Sequence, residues 1–195
     1  MRYAATHKQD TRDKLVASSS AIAKKGGFAT TGVDALMAAI GLSGGAFYSH
    51  FGSKDQLFAA VVEQQIAHSA QLLDASAGRA ALRKLLRAYL SSTHARQPEA
   101  GCALPALGAE IARAEPAVRA TVEAGLKQLQ RGWAEQLGES TGGAADAGLA
   151  ASDRAWALLS QCVGALVLAR VVDSERTRQE ILAANRRVAE QAVAD

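Results

Sequence analysis

Helix-capping hydroxyls and a lysine recur at short spacing between residues 31 and 54, and this combination could dock on phosphate oxygens. They are Thr31, Ser43, Ser53 and Lys54. Thr31 and Ser43 each precede a helical pattern, so both are predicted at helix N-termini, where backbone amides and the helix dipole attract anions. Lys54 adds a positive charge at the start of the next helix. This spacing is typical of a helix-turn-helix that docks on DNA phosphates.

Glycines and capping residues predict the helices that position these donors. A first helix should run from about Thr11 to Lys25 and end at two glycines. Thr31 and Asp34 form a capping-box variant at the start of the second helix. Gly41 should make the turn after it, because glycine adopts a left-handed conformation at little cost.

The third and fourth helices follow directly. Ser43 is the predicted cap of the third, recognition helix, whose Phe47 should face inward. Ser53 and Gln56 form a second capping box, which should start a long fourth helix.

Composition extends the helical interpretation to the whole chain. The 195 residues are 49% hydrophobic and 5% aromatic, and no run of alternating β-branched residues predicts a strand. Alanine and leucine provide most of the apolar surface, which favours helices. We therefore predict an all-α fold of about nine helices. Residues 1–53 would form a three-helix helix-turn-helix domain, and residues 54–195 a larger helical ligand-binding and dimerisation domain, with a Gly/Ala/Ser-rich loop over 138–148.

Charge is concentrated where the helix-turn-helix pattern lies. Residues 1–58 hold seven basic and four acidic side chains, whereas the remainder holds 15 of each sign, so the net charge of +3 lies in the N-terminal segment. No apolar run without charges approaches the length of a membrane span, and the N-terminus lacks the apolar core of a signal peptide. We expect a cytoplasmic protein with no membrane partner, metal or cofactor.

The spacing in the N-terminal third resembles that of the TetR/AcrR family of bacterial one-component transcriptional regulators. The resemblance is close over roughly residues 11–60 and rests on a set of matching positions. These are Phe28, Thr30, Thr31, Val33, Gly41, Leu42, Ser43, Gly45, Phe47, Tyr48, His50, Phe51, Ser53, Lys54, Leu57 and Phe58. It implies an all-helical homodimer that binds operator DNA, most often as a repressor, and is released when a small molecule enters the C-terminal domain.

The resemblance also implies which residues contact DNA. They are Thr31, Ser43, Gly44, Gly45, Tyr48, Ser49, His50 and Lys54. Many relatives carry a long polar side chain where this chain has Gly44 and a threonine where it has Ala46. The recognition helix therefore lacks the Arg, Lys, Asn and Gln side chains that read bases by paired hydrogen bonds. We expect specificity to rest on Ser and Tyr contacts, thymine methyl groups, DNA shape and a basic arm at Arg2 and Lys8. Close approach of the backbone to DNA would explain the two glycines.

Four residues of the C-terminal part are candidates for binding a small molecule: Tyr89, Cys102, Trp133 and Gln161. Cys102 is predicted at a helix N-terminus, which lowers a thiol pKa, and the stretch from Gly101 to Glu110 is similar to that of family members that sense electrophiles through cysteine. An ordinary buried cysteine is the alternative. The aromatic residues could equally be core residues.

Two late helices carry the pattern of a dimer interface. The helix over 152–172 has two apolar stripes, one of which would need a partner subunit. The predicted interface residues are Trp156, Leu159, Val163, Leu166, Ile181, Asn185 and Val188. A core helix of a monomer is the alternative.

Two other classes of function stay open. An enzyme finds little support, because the sequence carries no nucleophile elbow, phosphate loop, paired carboxylates or metal site. A low-specificity architectural DNA binder is consistent with a recognition helix that lacks base-reading side chains.

Overall fold

The structure, a computed structural model, describes the backbone of residues 2–74, 78–138 and 149–193, and side chains from residue 8 onward in these ranges. Nine α-helices, two 3-10 helices and no strand occur in this described part, so the all-α prediction is confirmed. The elements in chain order are α1 (Arg2–Gly26), α2 (Val33–Ala38), the 3-10 recognition helix (Gly44–Ser49), α3 (Lys54–Asp74), α4 (Arg79–Tyr89), α5 (Ser92–Arg96), a 3-10 turn (Pro98–Ala100), α6 (Leu104–Ala112), α7 (Pro116–Leu137), α8 (Ala151–Val171) and α9 (Glu175–Ala192).

The helices form two compact units. The first contains Met1–Ile66 and Pro98–Val122, and the second contains Ala67–Gln97 and Glu123–Asp195. Helices α3 and α7 each begin in one unit and end in the other. No pattern in the sequence indicates that α6 packs with the helix-turn-helix. The predicted domain boundary after residue 53 stays a prediction.

Aromatic and aliphatic side chains fill the core of the first unit. Phe28 stacks on Phe58 with ring centroids 4.8 Å apart, and Phe47 stacks on Phe51 at 6.1 Å. Phe47 is fully buried, as its position in the pattern predicts. The other fully buried large residues of this unit are Leu15, Leu36, Met37, Leu57, Val61, Val62 and Leu107. This core fixes the recognition helix against α2.

The second unit has a leucine- and alanine-rich core built from α4, α7, α8 and α9. Leu82, Leu86 and Leu90 pack with Leu158 and Ala165, among others. Two of the predicted functional residues, Trp133 and Leu166, also belong to this core.

Two of the predicted turn and cap features are confirmed. Gly41 has a φ of +75°, the left-handed conformation expected for the turn. At the start of α3, the Gln56 amide donates to Ser53 Oγ at 3.1 Å, and the Gln56 side chain accepts from the Gly52 amide at 2.8 Å. Ser53 therefore caps α3, which begins at Lys54, while the Gln56 side chain bonds to the residue before the cap.

Other boundaries differ from the prediction. Helix α1 starts at Arg2 rather than near Thr11, so the backbone of the proposed basic arm is helical. Its Arg2 side chain lies outside the described residues, whereas Lys8 is exposed. Helix α2 starts at Val33 with Gly32 as its cap and no side-chain cap, so the Thr31–Asp34 capping box is wrong. Residues 139–148 of the predicted loop also lie outside the described residues.

Helix α8 is the one described helix that is long and apolar enough to cross a membrane, judged by length and composition alone. Its apolar composition has another explanation, because Ala155, Leu158, Cys162, Ala165 and Ala169 are buried in the core of the second unit.

Candidate nucleic-acid interface

The loop between α1 and α2 (residues 27–32) is held by its own threonines. Gly27 has a φ of +89°, which turns the chain out of α1. Thr30 Oγ1 donates to the Gly26 carbonyl at 3.0 Å, and Thr31 Oγ1 donates to the Gly27 carbonyl at 3.0 Å. The Thr31 hydroxyl proton is thus used inside the loop. The Thr31 backbone amide is used there as well, because it donates to the Phe28 carbonyl at 3.2 Å.

The recognition helix is a 3-10 helix rather than an α-helix, and Ser43 at its N-cap makes no side-chain capping bond. Ser43, Gly45, Tyr48 and Ser49 are all exposed. Tyr48 is 69% exposed and rests edge-on against Phe47, with centroids 5.3 Å apart. The hydroxyl of Ser49 donates to the Ala46 carbonyl. The helix therefore presents one large aromatic donor among small residues.

Gly44 is explained by its contact with Asp34 of α2. A β-carbon at position 44 would overlap the Asp34 carboxylate oxygen Oδ1. At Gly45, by contrast, an added β-carbon would meet nothing within 4 Å. A side chain at position 44 would thus require the exposed Asp34 carboxylate to move aside, whereas position 45 leaves open space.

His50 and Lys54 follow the recognition helix. His50 is half-buried, and its Nδ1 atom is buried with no hydrogen-bond partner among the described residues. Lys54 Nζ donates to the Ala29 carbonyl at 2.9 Å and lies 5.0 Å from the centre of the Phe28 ring. The Lys54 ammonium thus binds the α1–α2 loop, and its remaining N–H groups could still contact a phosphate.

Two side chains for which the sequence predicted no such contact attach residues 98–122 to α1 and its loop. Glu110 of α6 accepts hydrogen bonds from the amides of Phe28, at 3.0 and 3.1 Å to its two oxygens, and of Ala29, at 2.8 Å. Lys24 Nζ donates to the Gly101 carbonyl at 2.8 Å and to Gln65 Oε1 at 2.9 Å. Lys24 is only 8% exposed, an unusual burial for lysine that could not be read from one sequence.

Comparison with known families identifies both parts of the chain. Residues 15–61 match the model of bacterial regulatory proteins of the tetR family, and residues 78–185 match the tetracyclin repressor-like C-terminal domain. The second match alone spans more than half of the chain. The chain belongs to the TetR family. Members of the family are transcriptional regulators that bind operator DNA, usually as dimers and with small-molecule effectors.

Solved structures of TetR-family proteins share this fold. NemR of E. coli in its reduced form is 20% identical, with a TM-score of 0.74 over 94% of this chain and 97% of NemR. A TetR regulator from Legionella pneumophila is 18% identical, with a TM-score of 0.75 over 94% and 97%. The regulatory protein TetR from Rhodobacter sphaeroides is 22% identical, with a TM-score of 0.74 over 92% and 97%. Among proteins with curated functions, none matches the sequence significantly.

The predicted effector-binding residues of this TetR-family chain do not all lie in one unit. Tyr89 and Trp133 contribute to the core of the second unit, and Tyr89 packs edge-on against His94 at 4.7 Å. Gln161 donates to the Asn185 carbonyl at 3.0 Å, which links α8 to α9. Cys102 belongs to the first unit, is half-buried and lies two residues before α6. The prediction that it starts that helix is therefore wrong.

The predicted dimer residues divide into exposed and buried groups. Trp156 is 40% exposed and Val188 is 55% exposed, while Leu159, Val163, Ile181 and Asn185 are half-buried. Leu166 is fully buried within its own subunit, so it is a core residue and unsuited to contact a partner. Three residues outside the prediction, Val167, Leu168 and Val171, are exposed. With Trp156 they extend an apolar face along α8, as helical spacing requires.

A charged cluster joins α5 to α9 in the second unit. The Glu175 carboxylate binds Arg96 at 2.6 Å and also pairs with Arg178. The hydrogen bonds from Arg96 and then Arg178 lower the pKa of Glu175 to about 2. Arg178 also donates to the Ala169 and Val172 carbonyls at the end of α8. This cluster therefore fixes the turn between α8 and α9.

Proposed function

We propose that this TetR-family regulator is a cytoplasmic, ligand-responsive repressor that binds operator DNA as a homodimer and is released by a small molecule. The observation that carries the proposal is the exposed row of Ser43, Gly45, Tyr48 and Ser49 on the recognition helix, next to Lys54. The exposed Ser43 and Tyr48 hydroxyls at the recognition helix and the Lys54 ammonium at the start of α3 suit contacts to phosphate oxygens. Family membership also favours regulation over catalysis.

The DNA-binding step is tested with a duplex selected from random DNA by the wild-type protein. We expect tight binding of this duplex at physiological salt and a binding constant that falls steeply as salt rises. Competition with random DNA at fixed salt separates the proposal from low-specificity architectural binding. A specificity ratio of at least about 10³ supports an operator-binding regulator. A ratio near one would favour the architectural alternative.

The small-molecule step centres on the second unit, where Tyr89 and Trp133 line an apolar core and Gln161 adds a polar group. An apolar lining with few polar groups is typical of small-molecule sites. The chain contains two tryptophans, and Trp156 is exposed whereas Trp133 is 7% exposed. In a Trp156→Phe variant, a bound effector should therefore change the fluorescence of Trp133 and lower operator affinity. Release of DNA without any change at Trp133 would place the effector elsewhere.

A second candidate function is release of DNA by electrophiles that react with Cys102. The Gly101 carbonyl, one residue away, binds the buried Lys24 ammonium, so a change at Cys102 would act on a residue anchored to α1. The test treats wild type, Cys102→Ser and Cys162→Ser with N-ethylmaleimide and measures DNA release. Cys162 is buried and serves as the matched control. Equal release by wild type and Cys102→Ser would exclude this mechanism.

A further inference from the structure

The two backbone amides that follow the last hydrogen bond of α1 need partners that the local backbone does not provide. The last bond of the helix is the one from the Gly27 amide to the Ala23 carbonyl, at 2.8 Å. The next two amides, of Phe28 and Ala29, point at the Glu110 carboxylate instead. Unpaired backbone groups of this kind are costly when removed from water, and bonds to a charged acceptor are stronger than neutral ones.

The carbonyl group of Ala29 is held as well. Lys54 Nζ donates to the Ala29 carbonyl at 2.9 Å, so an acid from α6 and a base from α3 hold Ala29 at its amide and its carbonyl. The Phe28 side chain is fixed as well, since its ring stacks on Phe58 and lies below the Lys54 ammonium. The loop is thus anchored on three sides immediately before α2.

Gly27, the residue before Phe28, fits the same arrangement. A β-carbon on Gly27 would approach Glu110 Oε1 to 3.2 Å, which is tighter than an ordinary contact. The positive φ of Gly27 also disfavours any side chain there. Glycine therefore allows the chain to turn and the carboxylate to approach at one position.

We infer that Glu110 is a positioning residue for operator binding. Its carboxylate fixes the α1–α2 loop, and through that loop the placement of α2 and the recognition helix. The DNA-binding unit accordingly depends on α6, whose Glu110 lies 81 residues beyond Ala29 in the sequence. This inference rests on the proposed function, because a positioning role requires that the helix-turn-helix binds DNA.

The test compares Glu110→Ala and Glu110→Gln with Glu115→Gln, which removes an exposed charge from the same segment. The full-length protein is measured for affinity to the duplex selected by the wild type, for its salt dependence, and for amide hydrogen exchange. We expect Glu110→Ala to weaken binding about tenfold, the loss typical of a bond to a charged group, with an unchanged salt slope, because no phosphate contact is removed. The Phe28 and Ala29 amides should exchange at least tenfold faster, while amides of α9 keep the wild-type rate.

Glu110→Gln keeps one acceptor oxygen, so its affinity and exchange rates should lie between those of wild type and Glu110→Ala. Glu115→Gln should match the wild type in both measurements. Wild-type affinity in Glu110→Ala would overturn the inference, and so would an affinity loss accompanied by faster exchange throughout α9 in both Glu110 variants. Failure of the wild-type protein to select any duplex would instead overturn the proposed function and leave the exchange result as a separate observation on the loop.

Discussion

Lys54 binds the carbonyl oxygen of Ala29 across 25 positions of sequence, with 2.9 Å between Nζ and the oxygen. The resemblance to known regulators implies that this lysine grips a DNA phosphate. The structure adds an internal contact, which directs the ammonium along the α1–α2 loop. One residue can do both, because an ammonium has three N–H donors. Experiment can separate the phosphate contact of Lys54 from its internal bond to Ala29.

Replacement of Lys54 by alanine should weaken binding to all sequences alike. A lost phosphate contact should also reduce the slope of log K against log salt by about 0.9. The lost bond to Ala29 should lower the melting temperature by a few degrees, as expected for roughly 1 kcal/mol in a chain of this size. Lys84→Ala, which removes an exposed charge from α4, is the control. A lower melting temperature with an unchanged slope would mean that Lys54 acts only within the protein.

Tyr48 permits a cleaner test of DNA contact. Its ring leans on Phe47 while 69% of the residue is exposed, so Tyr48→Phe should keep the packing and remove only the hydroxyl. We expect a severalfold loss of operator affinity with an unchanged melting temperature, the effect of one hydrogen bond. Titration by fluorescence anisotropy measures the affinity. Full affinity in Tyr48→Phe would show that the hydroxyl does not bind DNA.

The two neighbouring glycines should respond differently to alanine. Gly44→Ala places a methyl group against the exposed Asp34 carboxylate, which must move aside, so it should destabilise the protein by about 1 kcal/mol, the lower end of overpacking. Gly45→Ala meets open space and should be neutral or stabilising by up to about 1 kcal/mol. Urea unfolding measures both free energies. Adding Asp34→Ala should restore most of the stability lost in Gly44→Ala; a double variant no more stable than Gly44→Ala would rule out the clash.

The Glu175 cluster predicts how stability depends on pH. The pKa of Glu175 is about 2 in the folded protein, below its ordinary value of 4.5, because Arg96 and Arg178 bind the carboxylate. The contribution of the ionised Glu175 carboxylate to folding stability is therefore complete above about pH 4.5 and is lost as the pH falls through 2. Glu175→Gln should melt lower than wild type at pH 7, and the difference should shrink between pH 4.5 and 2. A difference that is constant over this range would contradict the pKa shift.

The apolar face of α8 predicts the effect of a charge on assembly. Leu168 is 55% exposed, so Leu168→Glu should leave the subunit folded and shift sedimentation from dimer to monomer. Leu149 is 53% exposed but precedes α8, and Leu149→Glu is the matched control. A dimer that persists in Leu168→Glu would place the interface on another surface.

Much of the first unit could be predicted from local signals. Gly41, Ser53 and Gln56 act within a few residues of themselves, and the structure confirms the turn and the cap that they encode. The Thr31 cap failed because its hydroxyl has a competing acceptor in the loop, the Gly27 carbonyl. Helix α1 begins earlier in the chain than expected, because no residue in 2–10 interrupts a helix.

The sequence by itself determined the all-α fold, the family and the order of the helix-turn-helix elements, because periodicity, glycines and caps act over short distances. Only the tertiary structure decided that Glu110 and Lys24 attach α6 and its preceding turn to α1, and that Leu166 is a core residue while Leu168 is exposed. These contacts and burials depend on which helices pack together. A helical pattern marks an apolar face, whereas the neighbour that covers it is set by contacts between segments far apart in the chain.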